Sequence, residues 1–287
     1  MVRKLLLPAA FVLLLGIFLY CAVNIGIYFW ESKQTQDAYD ALAQLRQEAL
    51  AVQPTLPQET SPDPTGTETA PTAPTEPVSP YVTVSHPETG EPFDLLPEYA
   101  GLFQMNPDFV GWITIEDTLV NYPVMQSPDY PDYYLYRGFD KKHSSHGSVY
   151  VREACDVLAP SDNLTIYGHR MQDGTMFYDL QQYKKKSFWE EHDKILFDTL
   201  RHRGVYQIFA VFLTSATPGK GFAYHRFDNA ENAQDYDAFV SQCKKLSLYD
   251  TGFTPQYGDK LITLSTCEYS QENGRLVVVA MEIPSQE

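Results

Sequence analysis

The sequence predicts a mainly β protein: an eight-stranded barrel with one helix ahead of it and another inserted before its seventh strand, all behind a membrane-spanning helix. Three observations carry this. Eight runs rich in β-branched and aromatic residues lie between positions 110 and 283, with few long helical patterns among them, and many short strands are best accommodated by closure, which removes exposed edges. Residues 5–30 form 26 consecutive positions without a charge, about 39 Å as a helix and enough to cross a bilayer with some tilt. Between span and barrel lies a tract too poor in apolar residues to build a core of its own.

Taken in order, residues 1–30 are a cytoplasmic tip and anchor. Arg3 and Lys4 precede the apolar run and Glu31 follows it, which places the N-terminus inside and the rest of the chain outside the membrane. A cleaved signal is disfavoured, because the run is longer than a signal's apolar region and ends on bulky residues. Residues 31–53 read as a juxtamembrane helix, with Ala38, Leu42, Leu45 and Ala49 at helical spacing. Residues 54–94 hold 10 of the 20 prolines, 7 carboxylates and no Lys or Arg, the composition of an extended, disordered tether.

Residues 95–287 form the folded domain. A helix near 95–105 opens it, and strands follow at 110–115, 119–124, 148–151, 164–167, 194–199, 205–214, 261–266 and 276–283, with a helix at 233–248 in the last long connection. The net charge of −16 excludes nucleic acid as a partner, since no basic stripe offsets phosphate repulsion.

The chemistry concentrates at strand ends. Cys267 closes the run KLITLSTC, Arg275 opens RLVVVAMEI after a short polar loop, and His169 follows the strand 164–167 across a permissive Gly168. Two antiparallel strands joined by that loop bring Cys267 and Arg275 to one mouth of the sheet. A thiol becomes a good nucleophile as thiolate, which neighbouring cations favour. Cys267 is therefore the nucleophile, His169 the acid and base, and Arg275 the fixed charge that holds carbonyls and a developing oxyanion. The backbone N–H of Glu268 is a candidate second oxyanion donor. Ser265 and Thr266 alternate, one toward the cleft and one toward the core.

Other cysteines and histidines carry less. Cys21 lies in the span, and Cys155 and Cys243 read as buried or free thiols, with a disulfide between them as the alternative. His143 and His146 form HxxH without a third ligand at short spacing, so no metal is assigned.

These motifs, with NPDFVGWITI at 106–115, NLTIYGHRMQDGTMFYDL at 163–180, and ITLSTCEY at 262–269 followed by GRLVVV at 274–279, resemble a class B sortase, a membrane-anchored cysteine transpeptidase of Gram-positive bacteria. The resemblance covers roughly residues 95–284. It implies His169, Cys267 and Arg275 as catalytic residues, Tyr167, Ser265, Thr266 and Glu268 as lining the substrate site, and Tyr224 as a more weakly matched contact. It also implies both extra helices and a reaction without metal or organic cofactor. The implied partners are secreted proteins with a C-terminal NPxTN-like or xPxTG-like sorting motif, and an amine acceptor on a peptidoglycan precursor. A pilin lysine is the alternative acceptor, and an inactive surface scaffold on the same fold is the non-enzyme alternative. Papain-like enzymes are excluded by order, since there the Cys precedes the His, and L,D-transpeptidases by the missing Ser-x-Gly-Cys-x-Arg context. His86 to Gly90 spells xPxTG within the tether, which in so Pro- and Thr-rich a tract reads as coincidence.

Overall fold

A computed structural model describes residues 2–52 and 79–284, with side chains from residue 11 onward. Helix α1 (Val2–Val52) is followed by strands β1 (Val82–Ser85) and β2 (Pro92–Leu95), a 3-10 turn at Pro97–Tyr99 and helix α2 (Ala100–Met105). Strands β3 (Phe109–Thr114), β4 (Asn121–Met125), β5 (Val149–Val151) and β6 (Asn163–Tyr167) come next. A 3-10 segment (Tyr178–Lys184), helix α3 (Lys186–Glu191), β7 (Lys194–Thr199), β8 (Arg203–Ser215), helix α4 (Ala233–Leu246), β9 (Leu261–Cys267) and β10 (Gly274–Ile283) complete the chain.

Strands β3 to β10 close into a barrel in the order β10-β8-β7-β3-β4-β5-β6-β9. All eight predicted strands are present, and the inserted helix lies where the sequence places it. Two of the pairings are parallel, β4 with β5 and β6 with β9, and both β6 and β9 therefore end at the same mouth. The interior is filled by Ile113, Val124, Ile166, Phe197, Ile208, Leu264 and Val278, while Trp112, next to Ile113 in β3, points to the opposite face, under Arg46 of α1. A second apolar cluster forms outside the wall, where Tyr236, Phe239, Val240 and Cys243 of α4 cover Phe209, Phe212, Val277 and Val279.

Two segments depart from the sequence reading. Residues 79–94, expected to belong to the tether, instead contain the β1–β2 hairpin, whose register pairs Val82 with Leu95 and Ser85 with Pro92. The hairpin is held because Phe93 stacks on Phe103 of α2 with ring centroids 4.9 Å apart, a contact that a compositional average over the tract conceals. The HPETG sequence forms its turn, with Gly90 N–H on the His86 carbonyl (2.8 Å) and Gly90 at φ +74°, a left-handed conformation that favours glycine. The remainder of the predicted tether, 54–78, lies outside the described residues, as does residue 53 at the end of the predicted juxtamembrane helix.

Helix α1 is the second departure. Among the described residues it is long and apolar enough to cross a membrane, and it continues without a break into the juxtamembrane stretch, where it lies against the barrel. Tyr39 and Leu42 are buried, whereas the predicted Leu45 is exposed. The contacting stripe is largely polar: Tyr39 O–H donates to the Gly147 carbonyl (2.7 Å), and Arg46 pairs with Asp198 of β7 at 3.0 Å. Apolar periodicity does not detect a face built from Ser32, Tyr39 and Arg46.

Candidate active site

Strand register sets the site. Cys267, the last residue of β9, lies directly opposite Arg275 of β10. Glu268 N–H bonds the Gly274 carbonyl at 2.9 Å, so the next pair, Cys267 with Arg275, is of the non-hydrogen-bonded kind, with Cα atoms about 4.5 Å apart and side chains on one face. On the other flank, the parallel β6–β9 pairing sets Tyr167 against Ser265, and the chain then turns through Gly168 to His169. A Cβ at Gly168 would meet the Phe177 ring at 2.6 Å. Glycine is required for that close approach.

His169 is oriented by backbone. Its Nε2–H donates to the Leu135 carbonyl at 2.7 Å, which fixes the tautomer and leaves Nδ1 for chemistry. The Tyr136 ring flanks it, with centroids 5.5 Å apart. Burial lowers the His169 pKa below the ordinary imidazole value; the Leu135 hydrogen bond opposes this in part and His146 adds to it.

A cavity of about 340 Å³ joins the parts, lined by His169, Cys267, Arg275, Tyr167, Ser265, Thr266 and Tyr224. The guanidinium of Arg275 donates to the Gly274 carbonyl at 3.0 Å. Among the described residues no carboxylate pairs with it, so its fork stays available to a ligand. Ser265 Oγ and Tyr224 O–H share a hydrogen bond of 2.6 Å, which ties the β8–α4 connection to the wall beside the thiol. Ile262 and Leu264 point into the core; by alternation Thr266 points inward, and Ser265 and Cys267 face the groove. The Thr266 hydroxyl is buried without a partner among the described residues.

Glu268 is placed differently from expectation. Its carboxylate is buried and paired with Lys184 at 2.5 Å and with Ser270, and it is not among the cavity's lining residues. Burial would raise this carboxyl, but Lys184 and Ser270 outweigh it and hold the pKa at about 2. The Glu268 N–H, taken from the sequence as an oxyanion donor, is committed to the hairpin bond with Gly274.

Sequence reasoning missed Asp132, Leu135, Tyr150 and His225, which also line the cavity. Tyr150 O–H donates to Asp132 at 2.7 Å, and its ring packs on Tyr167. Leu135 acts through a backbone carbonyl, so its side chain carries no signal, whereas Asp132 sits at φ +53°, a turn that an Asp after Pro131 hints at.

The other thiols do not compete. All four cysteines are free. Cys155 is buried against the Asn163 carbonyl and Asp228, with its pKa pushed up by burial to about 12. Cys243 is sealed under α4, where burial raises its thiol further. His146, half of the HxxH pair, is spent on Asp173 at 2.7 Å.

Comparison with known proteins decides the family: the Sortase domain model matches residues 113–283, a range that includes His169, Cys267 and Arg275. The chain belongs to the sortase family. Sortase B of Staphylococcus aureus (strain NCTC 8325 / PS 47) is 36% identical over 186 residues, covering 64% of this chain and 74% of that protein. Sortase B of Listeria monocytogenes serovar 1/2a is 35% identical over 185 residues, 63% of this chain and 72% of that protein. Among solved structures, the Staphylococcus aureus sortase B-substrate complex superposes with a TM-score of 0.69 at 29% identity, covering 90% of this chain and all of that one. This sortase is thus of the B type, a cysteine transpeptidase on a closed mixed barrel. Among the described residues, the thiol that lines the cavity is the partly buried Cys267, opposite Arg275 in register.

Proposed function

We propose that this sortase is anchored by α1 with its barrel outside the membrane, cuts secreted proteins at a C-terminal sorting motif, and joins the new carboxyl end to an amine of peptidoglycan. The observation that supports the chemistry is the register pair Cys267–Arg275 with His169 just past the end of the adjoining parallel strand, all three opening on one cavity. Cys267 Sγ attacks the scissile carbonyl while Arg275 holds the oxyanion. As the tetrahedral adduct collapses, the C–N bond breaks and His169 Nδ1–H gives its proton to the departing amine. An incoming amine then attacks the thioester, losing a proton to Nδ1, and the thiolate leaves. Atoms and charge balance with no added oxidant or metal.

The test is mass spectrometry of the full chain in nanodiscs with NPxTN and xPxTG peptides, supplied with a glycine-type amine or a lysine side chain as acceptor. The expected result is a thioacyl adduct on Cys267 with one motif, resolved by the glycine-type amine and absent in Cys267→Ala. Transfer to lysine in preference would favour pilin polymerisation. A reactive Cys267 that forms no adduct with either motif would overturn the assignment of substrate.

A further inference from the structure

The membrane-side end of α1 is fixed to one loop of the barrel. The Tyr28 ring lies over the His146 ring, with centroids 6.3 Å apart and 24° between planes. Trp30 and Glu31 share a cavity with His143, Ser144 and Ser145, and Ser145 Oγ donates to Glu31 at 3.4 Å. Ser32 Oγ donates to Asp173 at 2.5 Å, and the same carboxylate oxygen takes His146 Nε2 at 2.7 Å. Asp173 stands four residues beyond His169 in the chain. With Arg46 held by Asp198 at 3.0 Å, the helix is seated over roughly 27 Å of its length. It is a strut and leaves no hinge between span and barrel.

The length of the apolar run sets the height of that loop. A helix of about 39 Å exceeds a hydrocarbon layer of about 30 Å by about six residues. With Arg3 and Lys4 in the inner headgroups, the surplus falls at the outer end, and Tyr28, Phe29 and Trp30 occupy the outer headgroup layer, where aromatic rings settle. The residues they touch lie at the same level. The segment 136–146 carries Arg137, Lys141 and Lys142 against the single carboxylate of Asp140, on a chain with net charge −16. Lys141 also reaches Asp108, while Lys142, bridged to Asp140, is 82% exposed. At the start of this segment Tyr136, half exposed, packs its ring beside His169.

We propose that segment 136–146 rests on the headgroup layer of the outer leaflet, so that the His169 side of the cleft opens onto the bilayer surface instead of bulk water. The inference rests on α1 being the membrane anchor. Its partner is the lipid surface itself, read by interfacial aromatic rings and by the exposed side chain of Lys142.

The test uses the full chain with Cys21→Ser and Cys267→Ala, reconstituted in phosphatidylglycerol-containing liposomes with headgroup spin-labelled lipid. A fluorophore is placed at His143→Cys or at Gln256→Cys; the latter precedes β9, about 20 Å of strand away from the Cys267 end. The label at 143 is expected to be quenched several-fold more than that at 256. A flexible Gly/Ser insertion between Trp30 and Glu31 should reduce quenching at 143 to the level at 256, and leave peptide cleavage unchanged in the version that keeps Cys267. If the chain stays with the liposomes through an alkaline wash and both labels are equally unquenched, the seating is wrong while the anchor stands. If the chain washes off, the anchor reading fails and the seating with it.

Discussion

Glu268→Gln separates a residue that touches substrate from one that holds the hairpin carrying Cys267. The carboxylate is buried, bridged to Lys184 at 2.5 Å and capped by Ser270. Its pKa of about 2 against 4.5 corresponds to an upper bound of about 3 kcal/mol at neutral pH. Lys184 is 34% exposed, and solvent screening at that end brings the figure to about 2 kcal/mol. For a domain of this size the loss lowers Tm by about 4–8 °C at pH 7, read by circular dichroism melts. The folded-state pKa lies below the unfolded one, so the contribution is complete above pH 4.5 and disappears as pH falls toward 2. The gap in Tm between the two proteins should therefore close across that window. Transpeptidation at 25 °C should stay within about threefold of the parent, under 1 kcal/mol of barrier. An activity loss of hundredfold with an unchanged Tm, or a Tm gap that does not vary with pH, would refute the reasoning and return Glu268 to the substrate site.

Three further outcomes are expected. Arg275→Lys should cost at least about a hundredfold in kcat/KM with little change in Tm, because an ammonium cannot reproduce the planar fork opposite Cys267; steady-state peptide cleavage measures it. The pH–rate profile should be bell-shaped, because the competent form needs a thiolate and a protonated His169. Burial loosens the imidazolium proton, so the limb set by His169 should lie below the ordinary imidazole pKa of about 6.5, and a profile that rises to a plateau with no alkaline fall would refute that protonation scheme. Tyr224→Phe removes the 2.6 Å bond to Ser265 and should cost about 1 kcal/mol, seen as a several-fold rise in KM if the β8–α4 connection loosens over the cleft.

The parts of this enzyme legible in the sequence are those written in local periodicity. Alternating β-branched residues mark the strands, and a hairpin loop between Cys267 and Arg275 fixes their register, because pairing across a short loop leaves few choices. His169 is legible because a strand, a glycine and a histidine in sequence mark a strand end that turns into a cleft. Glu268 was not, since its partner Lys184 lies 84 positions earlier and no spacing rule links a strand end to a distant 3-10 segment. The seat of α1 was hidden for a related reason. Tyr39 and Arg46 meet backbone and carboxylate groups on the barrel, and such contacts leave no apolar stripe. The hairpin was hidden by its setting, where four apolar residues, Tyr81, Val82, Val84 and Phe93, were outweighed by the prolines around them.

The parallel pairing of β6 with β9 also orders events in time. The two strands are joined in register from Asn163–Leu261 to Tyr167–Ser265, across almost a hundred intervening residues, and a contact that closes so long a loop forms late in folding. His169 and Cys267 stand at the ends of those two strands. The ends of β6 and β9 are therefore brought to one mouth only when this long-range seam closes, and a chain whose barrel is still open has no cleft between His169 and Cys267.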